Sequence, residues 1–345
     1  MPGWNDLGTA FATLRELDVT AIKAESERPV VIACFGPRAL ASRVGELMYA
    51  LGARHYGPAG RNPFIYQPKV SQAGDETSTA DMLLVLIDAT RPLSRSESAD
   101  LAQLGALMRP TVIALCGVAD PGDLGAPRPE FAQAKIVVLP HLDANGGTTL
   151  ADAILEQLPE ERRLAAARAV PGLRTAYARE LINSVSLTNG TYALASAIPQ
   201  QLPIISIPFA AADLIVLTKN QALMVYRLAL AHGAPPEFQA RLVELAPVIG
   251  GAFLWRQLAR TLISLIPVWG VVPKVAIAYA GTYSTGIAAT QWFAKGELIE
   301  GQRLKQLGDE ALKLGRERAT ALVAEARTRT MEAGVRMGQR KARKP

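Results

Sequence analysis

The chain has 345 residues, more than one hydrophobic core usually holds, so two domains are expected. Apolar residues make up 49% of it and aromatic residues only 6%, which favours packed helices and buried parallel strands. Its net charge of +6 comes mainly from a C-terminal tail without acidic residues: Arg336, Arg340, Lys341, Arg343 and Lys344. Because the rest is nearly neutral, the basicity does not indicate a nucleic-acid-binding protein, and no nucleic-acid partner is expected.

The N-terminal residues predict a cytoplasmic protein. Charged residues such as Asp6, Asp18 and Lys23 interrupt this segment, which contains no apolar core of a signal peptide. Cys34 and Cys116 both fall in predicted buried strands. They are therefore expected to be reduced structural thiols.

A buried strand leads directly into a helix near the N-terminus. After a predicted helix over residues 4–25, the segment PVVIAC at 29–34 predicts a strand, and FGPRALASRVGELMYALG predicts a glycine-containing turn followed by a helix. This order suits a phosphate-binding loop, because backbone amides at a helix start and the helix dipole attract an anion. The chemistry also requires a lysine for the β- and γ-phosphates and a hydroxyl for magnesium.

The residues that would supply this chemistry are missing. When Gly36 is aligned with the first glycine of the phosphate-binding motif, residues 41–43 read Ala-Ser-Arg where glycine, lysine and serine or threonine belong. Pro37 also removes one amide donor. Arg38 and Arg43 either attract a phosphate weakly at the helix start or are solvated residues that flank the helix.

Residues 81–159 alternate between buried strands and helices. The segment ADMLLVLIDATRPLS predicts a strand, LAQLGALM a helix and PTVIALCGVAD a second strand. A third strand, KIVVLP, is followed by an NGG turn and the helix TTLADAILEQLPEE. This alternation predicts an α/β domain over residues 1–160 with a mostly parallel sheet.

From Pro29 to Glu160 these segments resemble the Era/Der branch of the P-loop GTPases. The resemblance implies a GTPase-like fold and GTP as the ligand. In that family an Asp-x-x-Gly magnesium motif is expected before the first of the strands, but residues 71–80 read SQAGDETSTA. The base-reading Asn-Lys-x-Asp falls on residues 117–120, where only Asp120 is retained, and a Ser-Ala-Lys-like segment falls on 140–142, Pro-His-Leu. Asp120 either accepts hydrogen bonds from a guanine or is a turn residue.

Without the loop lysine and the metal ligands, GTP turnover is not expected. No catalytic residue and no metal site are predicted, since His141 and Asp143 are close in sequence but lack a third ligand. The domain is predicted to be a pseudo-GTPase without a cofactor. The alternative is a regulatory switch that binds GTP weakly through a remnant site of five residues: Gly36, Arg38, Ser42, Arg43 and Asp120.

The second half of the chain predicts helices throughout. A charged, Ala-rich helix ends before Pro171 and Gly172, so residues 161–173 are predicted to be the domain boundary. Helices are predicted over 174–197 and 209–233, and two apolar helices flank the turn PVWGVVP within 242–294. A helical domain with an apolar hairpin is therefore expected over 174–295.

Three interpretations of this hairpin remain open. Its second arm has about 20 uncharged residues, just enough to span a bilayer. The first arm carries Arg256 and Arg260, each costing about 2.5–3.5 kcal/mol on insertion. The hairpin is a packed helical core, a shallow membrane insertion or a true multi-pass segment.

In the second arm Ala276, Ala280 and Ser284 begin a small-residue stripe at a spacing of four, which allows close approach of another helix in either environment.

Residues 175–294 resemble the YcjF-type helical domain, an uncharacterised and often membrane-associated family that commonly follows Era-like domains. The residues that carry this resemblance include Pro208, Asp213 and Gln221. It implies an architecture and a membrane association but no reaction. The polar residues Asp213, Lys219, Asn220 and Gln221 are predicted to form a buried structural network.

A charged helix and the basic tail occupy residues 296–345. Leu304, Leu307, Ala311 and Leu314 recur at helical spacing, and the tail suits anionic lipid or a disordered end. The sequence therefore predicts a non-catalytic pseudo-GTPase scaffold or interaction protein. Its expected partners are another protein and either the surface of the inner membrane or a membrane protein. The chain is expected to attach to the inner membrane peripherally or through insertion of the hairpin.

Overall fold

The computed structural model describes residues 17–52, 55–67, 79–122, 134–196, 211–238 and 271–342. The first part of the chain is an α/β domain. Its elements are α1 (Thr20–Ser26), β1 (Ile32–Phe35), α2 (Arg38–Ala50), β2 (Phe64–Gln67), β3 (Met82–Asp88), α3 (Arg95–Ala106), β4 (Thr111–Cys116), β5 (Lys135–Leu139) and α4 (Ala144–Gln157).

The five strands form one parallel sheet in the order β2-β1-β3-β4-β5. β3 and β4 are buried almost from end to end because apolar side chains cover both faces of the sheet. Residues of α2 and α4 pack on one face, and residues of α3 pack on the other. The predicted α/β class with a parallel sheet is confirmed.

Two helices of this domain begin earlier than their apolar residues suggest, because polar side chains cap them. Ser94 and Glu97 form a reciprocal capping box that starts α3 at Arg95. Asp143 accepts a hydrogen bond from the amide of Gly146 and starts α4 at Ala144. Asp143, for which no metal site was predicted, therefore has a structural role as a helix cap.

The second part of the described chain is helical. It comprises α5 (Glu160–Ala169), a 3-10 turn (Pro171–Leu173), α6 (Arg174–Ala195), α7 (Ala211–Ala231), a second 3-10 turn (Pro236–Phe238), α8 (Val271–Lys295) and α9 (Gly301–Ala342). α8 packs against α6, α7 and α9. The first hairpin arm and the turn up to residue 270 lie outside the described residues, so the hairpin is not tested.

The small-residue stripe of α8 packs within this bundle. Ala276, Ala280 and Ser284 are buried, and α9 crosses them at Gly315. A Cβ at Gly315 would lie 2.5 Å from the carbonyl oxygen of Ala276, closer than any side chain permits. The stripe therefore brings α8 and α9 into backbone contact. None of the helices in the described ranges, α8 included, is long and apolar enough to cross a bilayer.

A buried polar network joins three helices of the bundle. The amide of Asn189 on α6 donates to the hydroxyl of Thr282 on α8 at 2.8 Å. From α7, Gln221 donates to the same hydroxyl, and Asn220 donates to the side-chain oxygen Oδ1 of Asn189. The predicted network is confirmed for Asn220 and Gln221, whereas Lys219 is exposed and the side chain of Asp213 lies outside the described part of the structure.

The segment predicted to be the boundary, residues 161–173, is buried. Most of α5 and the whole 3-10 turn are covered by neighbouring elements. Arg168 donates to the carbonyl oxygens of Leu230 and Ala234 at the end of α7, and Arg162 pairs with Asp81 at the start of β3. The helices therefore dock firmly against the amino-terminal edge of the sheet.

Candidate functional site

The strand order identifies the crevice in which a ligand would bind. From β1 the chain moves outward to β2, then crosses back to β3 on the other side of β1. Ligands of doubly wound sheets bind beyond the carboxyl ends of the strands at such a reversal of strand order. The candidate site therefore lies between the Gly36–Pro37 turn after β1 and the Asp88–Arg91 segment after β3, at the edge opposite the docked helices.

The connection from β1 to α2 is only two residues long. Gly36 has φ +134°, and a Cβ at this position would lie 2.3 Å from the carbonyl oxygen of Leu86. The Tyr66 hydroxyl donates to the Gly36 carbonyl oxygen at 3.1 Å. Pro37 is the N-cap, so the helix begins at Arg38. The turn is fixed against β3 and is too short to wrap around a phosphate chain.

The remnant-site side chains of α2 do not converge. Ser42 and Arg43 lie inside the helix rather than in a loop, and Arg38, Ser42 and Arg43 are all exposed. A spacing of four residues places Arg38 and Ser42 on one side of the helix, whereas Arg43 lies about 140° away from Arg38. The anion-binding feature that remains is the helix start, whose first turn contains no acidic residue.

The segment after β3 satisfies its own charges. The Thr90 hydroxyl and amide donate to the Asp88 carboxylate at 2.6 and 3.2 Å and hold the pKa of Asp88 below its ordinary value. Arg91 makes two hydrogen bonds to Glu97, which also receives one from the amide of Ser94. These bonds lower the pKa of Glu97 to about 2. Both carboxylates therefore accept hydrogen bonds from neighbours within this segment.

Burial and nearby charges shift the pKa values of the two buried thiols beside the crevice. Burial raises the pKa of Cys116 to about 11, the Asp88 carboxylate adds to the rise, and the Arg43 guanidinium opposes it. Burial, with a contribution from Cys116, raises the pKa of Cys34 to about 12. Both cysteines are free and buried, as expected of structural thiols. Arg43 and Asp88 thus act electrostatically on the same end of β4.

Asp120 lies in a turn. Its carboxylate is exposed and accepts a hydrogen bond from the amide of Gly122 at 3.0 Å. This is the geometry of an Asx turn, so the turn explains the position of Asp120 and no bound ligand is needed to explain it. Three residues before Asp120, Gly117 has φ +94°, and a Cβ at Gly117 would lie 2.7 Å from the Thr90 methyl group.

Sequence reasoning missed three residues that shape the crevice. Tyr66 fixes the Gly36 turn, while Asp88 and Thr90 close the segment after β3. Polar residues directly after a buried strand, such as Asp-Ala-Thr at 88–90, are the signal that could have indicated the latter two. No signal marked Tyr66, because β2 itself was not predicted.

Other concave or ligand-like features lie away from the crevice. A surface cavity of about 280 Å³ between α4, α5 and α6 is bridged by the ion pairs Arg163–Glu180 and Arg179–Asp152. Within the described ranges no three side chains of the metal-ligating types form a group.

Comparison of the chain with protein-family models, curated proteins and solved structures gave no match. The geometry of the crevice is therefore the basis of a functional assignment.

Proposed function

We propose that the protein is a non-catalytic pseudo-GTPase scaffold. In this proposal an Era/Der-like domain precedes a YcjF-type helical domain with an apolar hairpin, and the protein acts at the cytoplasmic face of the inner membrane. The observation that carries the non-catalytic part is the two-residue Gly36–Pro37 connection between β1 and α2.

The chain offers too few hydrogen-bond donors and charges for a nucleoside triphosphate. A nucleoside triphosphate needs a loop of amides around its phosphates, a lysine and a metal-bound hydroxyl. Here the residues aligned with the last part of that motif, 41–43, lie within α2, where their amides are used in helical hydrogen bonds. Three amides at the helix start can attract one anionic group, but they cannot replace the lost contacts.

The contacts between the two parts of the chain favour a scaffold over a switch. The segment 55–60 between α2 and β2 is held by hydrogen bonds from Arg174. The backbone amides of His55 and Ala59 also donate to the carbonyl oxygens of Ala294 and Arg168, respectively. A nucleotide-dependent switch needs segments with two arrangements of similar free energy. A segment held by several hydrogen bonds to the helical part suits a scaffold with one fixed arrangement.

A fluorescent GTP analogue titrated in the presence of magnesium tests the non-catalytic part. The scaffold proposal expects no saturable binding up to about millimolar analogue, which corresponds to roughly −4 kcal/mol. Saturable binding in the micromolar range that Asp120→Ala abolishes would overturn it. Asp309→Ala is the matched control, because it makes the same type of change at an exposed position of α9.

The alternative is a weak nucleotide-binding switch that uses Arg38, Arg43 and Asp120. The acid-free start of α2 beside the crevice favours it. In that case both Arg38→Ala and Asp120→Ala would weaken analogue binding. The same titration therefore decides between the two functions.

A further inference from the structure

Helix α9 is much longer than the helix on which it packs. Its 42 residues correspond to about 63 Å, against about 38 Å for the 25 residues of α8. The two helices run antiparallel, because Gly315 contacts Ala276 and Ala280 whereas the later Leu322 joins the cluster that contains Val272. Leu322 is the last α9 residue in the apolar clusters of the described residues.

The helix continues about 30 Å beyond Leu322, to Ala342. It does so past the start of α8, so the last turns of α9 extend beyond the first residues of α8. We define residues 327–342 as the basic arm.

The basic arm and the three residues after it carry the net charge of the chain. Residues 327–345 contain one acidic residue, Glu332, against seven basic residues. Their charge of +6 equals that of the whole chain, so the remainder is neutral. The seven basic residues are Arg327, Arg329, Arg336, Arg340, Lys341, Arg343 and Lys344.

Helical spacing orders these charges. The positions of Arg329, Arg336 and Arg340 are seven and four residues apart, which places them along one side of a helix. Met331 and Val335 are four residues apart on another side. A helix with a basic side and apolar positions is typical of segments that lie on an anionic bilayer surface.

We propose that the basic arm docks the protein on an anionic lipid surface. This inference rests on the membrane association in the proposed function and names the segment responsible. Each basic residue near such a surface strengthens binding about fivefold. The arm extends past the start of α8 at Val271, the residue that directly follows the apolar sequence PVWG.

The chemistry of the arm fits lipid better than nucleic acid. No aromatic residue occurs between Phe293 and the C-terminus, so the arm offers no ring on which a base could stack. Its methionines and valine instead suit the boundary between headgroups and acyl chains.

Co-sedimentation of the full chain with vesicles tests the docking. The probes are phosphatidylcholine vesicles with about 30% phosphatidylserine and pure phosphatidylcholine vesicles. We expect binding to the anionic vesicles only. Replacing Arg329, Arg336 and Arg340 by Gln should weaken that binding by roughly a hundredfold.

The matched control removes the same charge from the packed half of α9. Lys305, Lys313 and Arg316 are exposed there, and their replacement by Gln should weaken binding less than about fivefold. Raising the salt from about 0.1 to about 0.5 M should release the unmodified protein, a readout that does not depend on the folding of any variant.

The outcomes separate the two proposals. If the unmodified chain ignores anionic vesicles, the membrane association fails together with the role of the arm. If the unmodified chain binds but the two triple variants bind equally well, or if salt does not change the binding, the proposed role of the arm is wrong and the membrane association stands. Tighter binding to a labelled DNA duplex than to vesicles at equal salt would overturn lipid as the partner.

Discussion

The guanidinium of Arg174, at the start of α6, donates a hydrogen bond to the carbonyl oxygen of Gly57 at 2.8 Å. A second nitrogen of the same group donates to the carbonyl oxygen of Tyr56 at 3.0 Å. Arg174 is 3% exposed, and Gly233 at the end of α7 packs against the same loop at Gly57. A buried cation from the helical part thus organises a backbone turn of the α/β domain.

Replacing Arg174 by Ala should therefore lower the free energy of unfolding by about 2–4 kcal/mol, because two carbonyl oxygens lose the charged donors of a buried guanidinium. Arg174→Lys should recover only part of this loss, since an ammonium group does not reproduce the planar fork of donors. Urea unfolding of the full chain measures both.

The control for this prediction is Arg179→Ala on the same helix. Arg179 is half exposed and pairs with Asp152, so its loss should cost less than about 1 kcal/mol. Equal losses for Arg174→Ala and Arg179→Ala would contradict the assigned role of Arg174.

Gly36→Ala should destabilise the α/β domain by more than about 2 kcal/mol. The backbone has φ +134°, and the added methyl group would lie 2.3 Å from the carbonyl oxygen of Leu86. Gly45→Ala provides the control in the same α2 helix. A Cβ there meets nothing within 4 Å, so this change should stabilise by up to about 1 kcal/mol. Unfolding midpoints that move in the same direction for both variants would rule out the tight turn.

Much of the fold could be predicted because long apolar runs determine it. β3, β4 and β5 were predicted from continuous apolar segments, and α5 was predicted within a residue or two of its ends. β2 was not predicted, because FIYQ is only four residues long and its partner β1 stabilises it.

The site was harder to predict, because its geometry depends on where α2 begins. Counting residues from Gly36 gave a loop of motif length, whereas the sharp Gly36–Pro37 turn starts the helix at once. The roles of Arg168 and Arg174 were likewise not predicted. Carbonyl groups distant in sequence bind Arg168 and Arg174, and only tertiary structure brings those groups together.

The network of Asn189 and Thr282 should show energetic coupling. Asn189→Ala removes two buried hydrogen bonds and should cost about 2–3 kcal/mol. Combined with Thr282→Val, it should give a coupling free energy of about 0.5–3 kcal/mol in a double-mutant cycle. Thr290→Val on the same helix is the control, because its hydroxyl bonds only within its own helix. A coupling near zero for Asn189 and Thr282 would show that the network does not act as a unit.

His232 should make stability fall between pH 7 and pH 5. Burial lowers the pKa of His232 from 6.5 to about 4 and Arg174 contributes, while Nδ1 donates to the Leu228 carbonyl oxygen at 2.8 Å. The folded pKa is depressed, so the unfolded chain binds the extra proton as pH falls from about 6.5 towards about 4. Stability is fully present above the unfolded pKa and should drop by about 2 kcal/mol between pH 7 and pH 5. Urea unfolding of His232→Gln should show a loss smaller by that amount. His141→Gln, at an exposed histidine, should keep the full loss. Equal pH dependence for His232→Gln and the unmodified protein would show that another group titrates in this range.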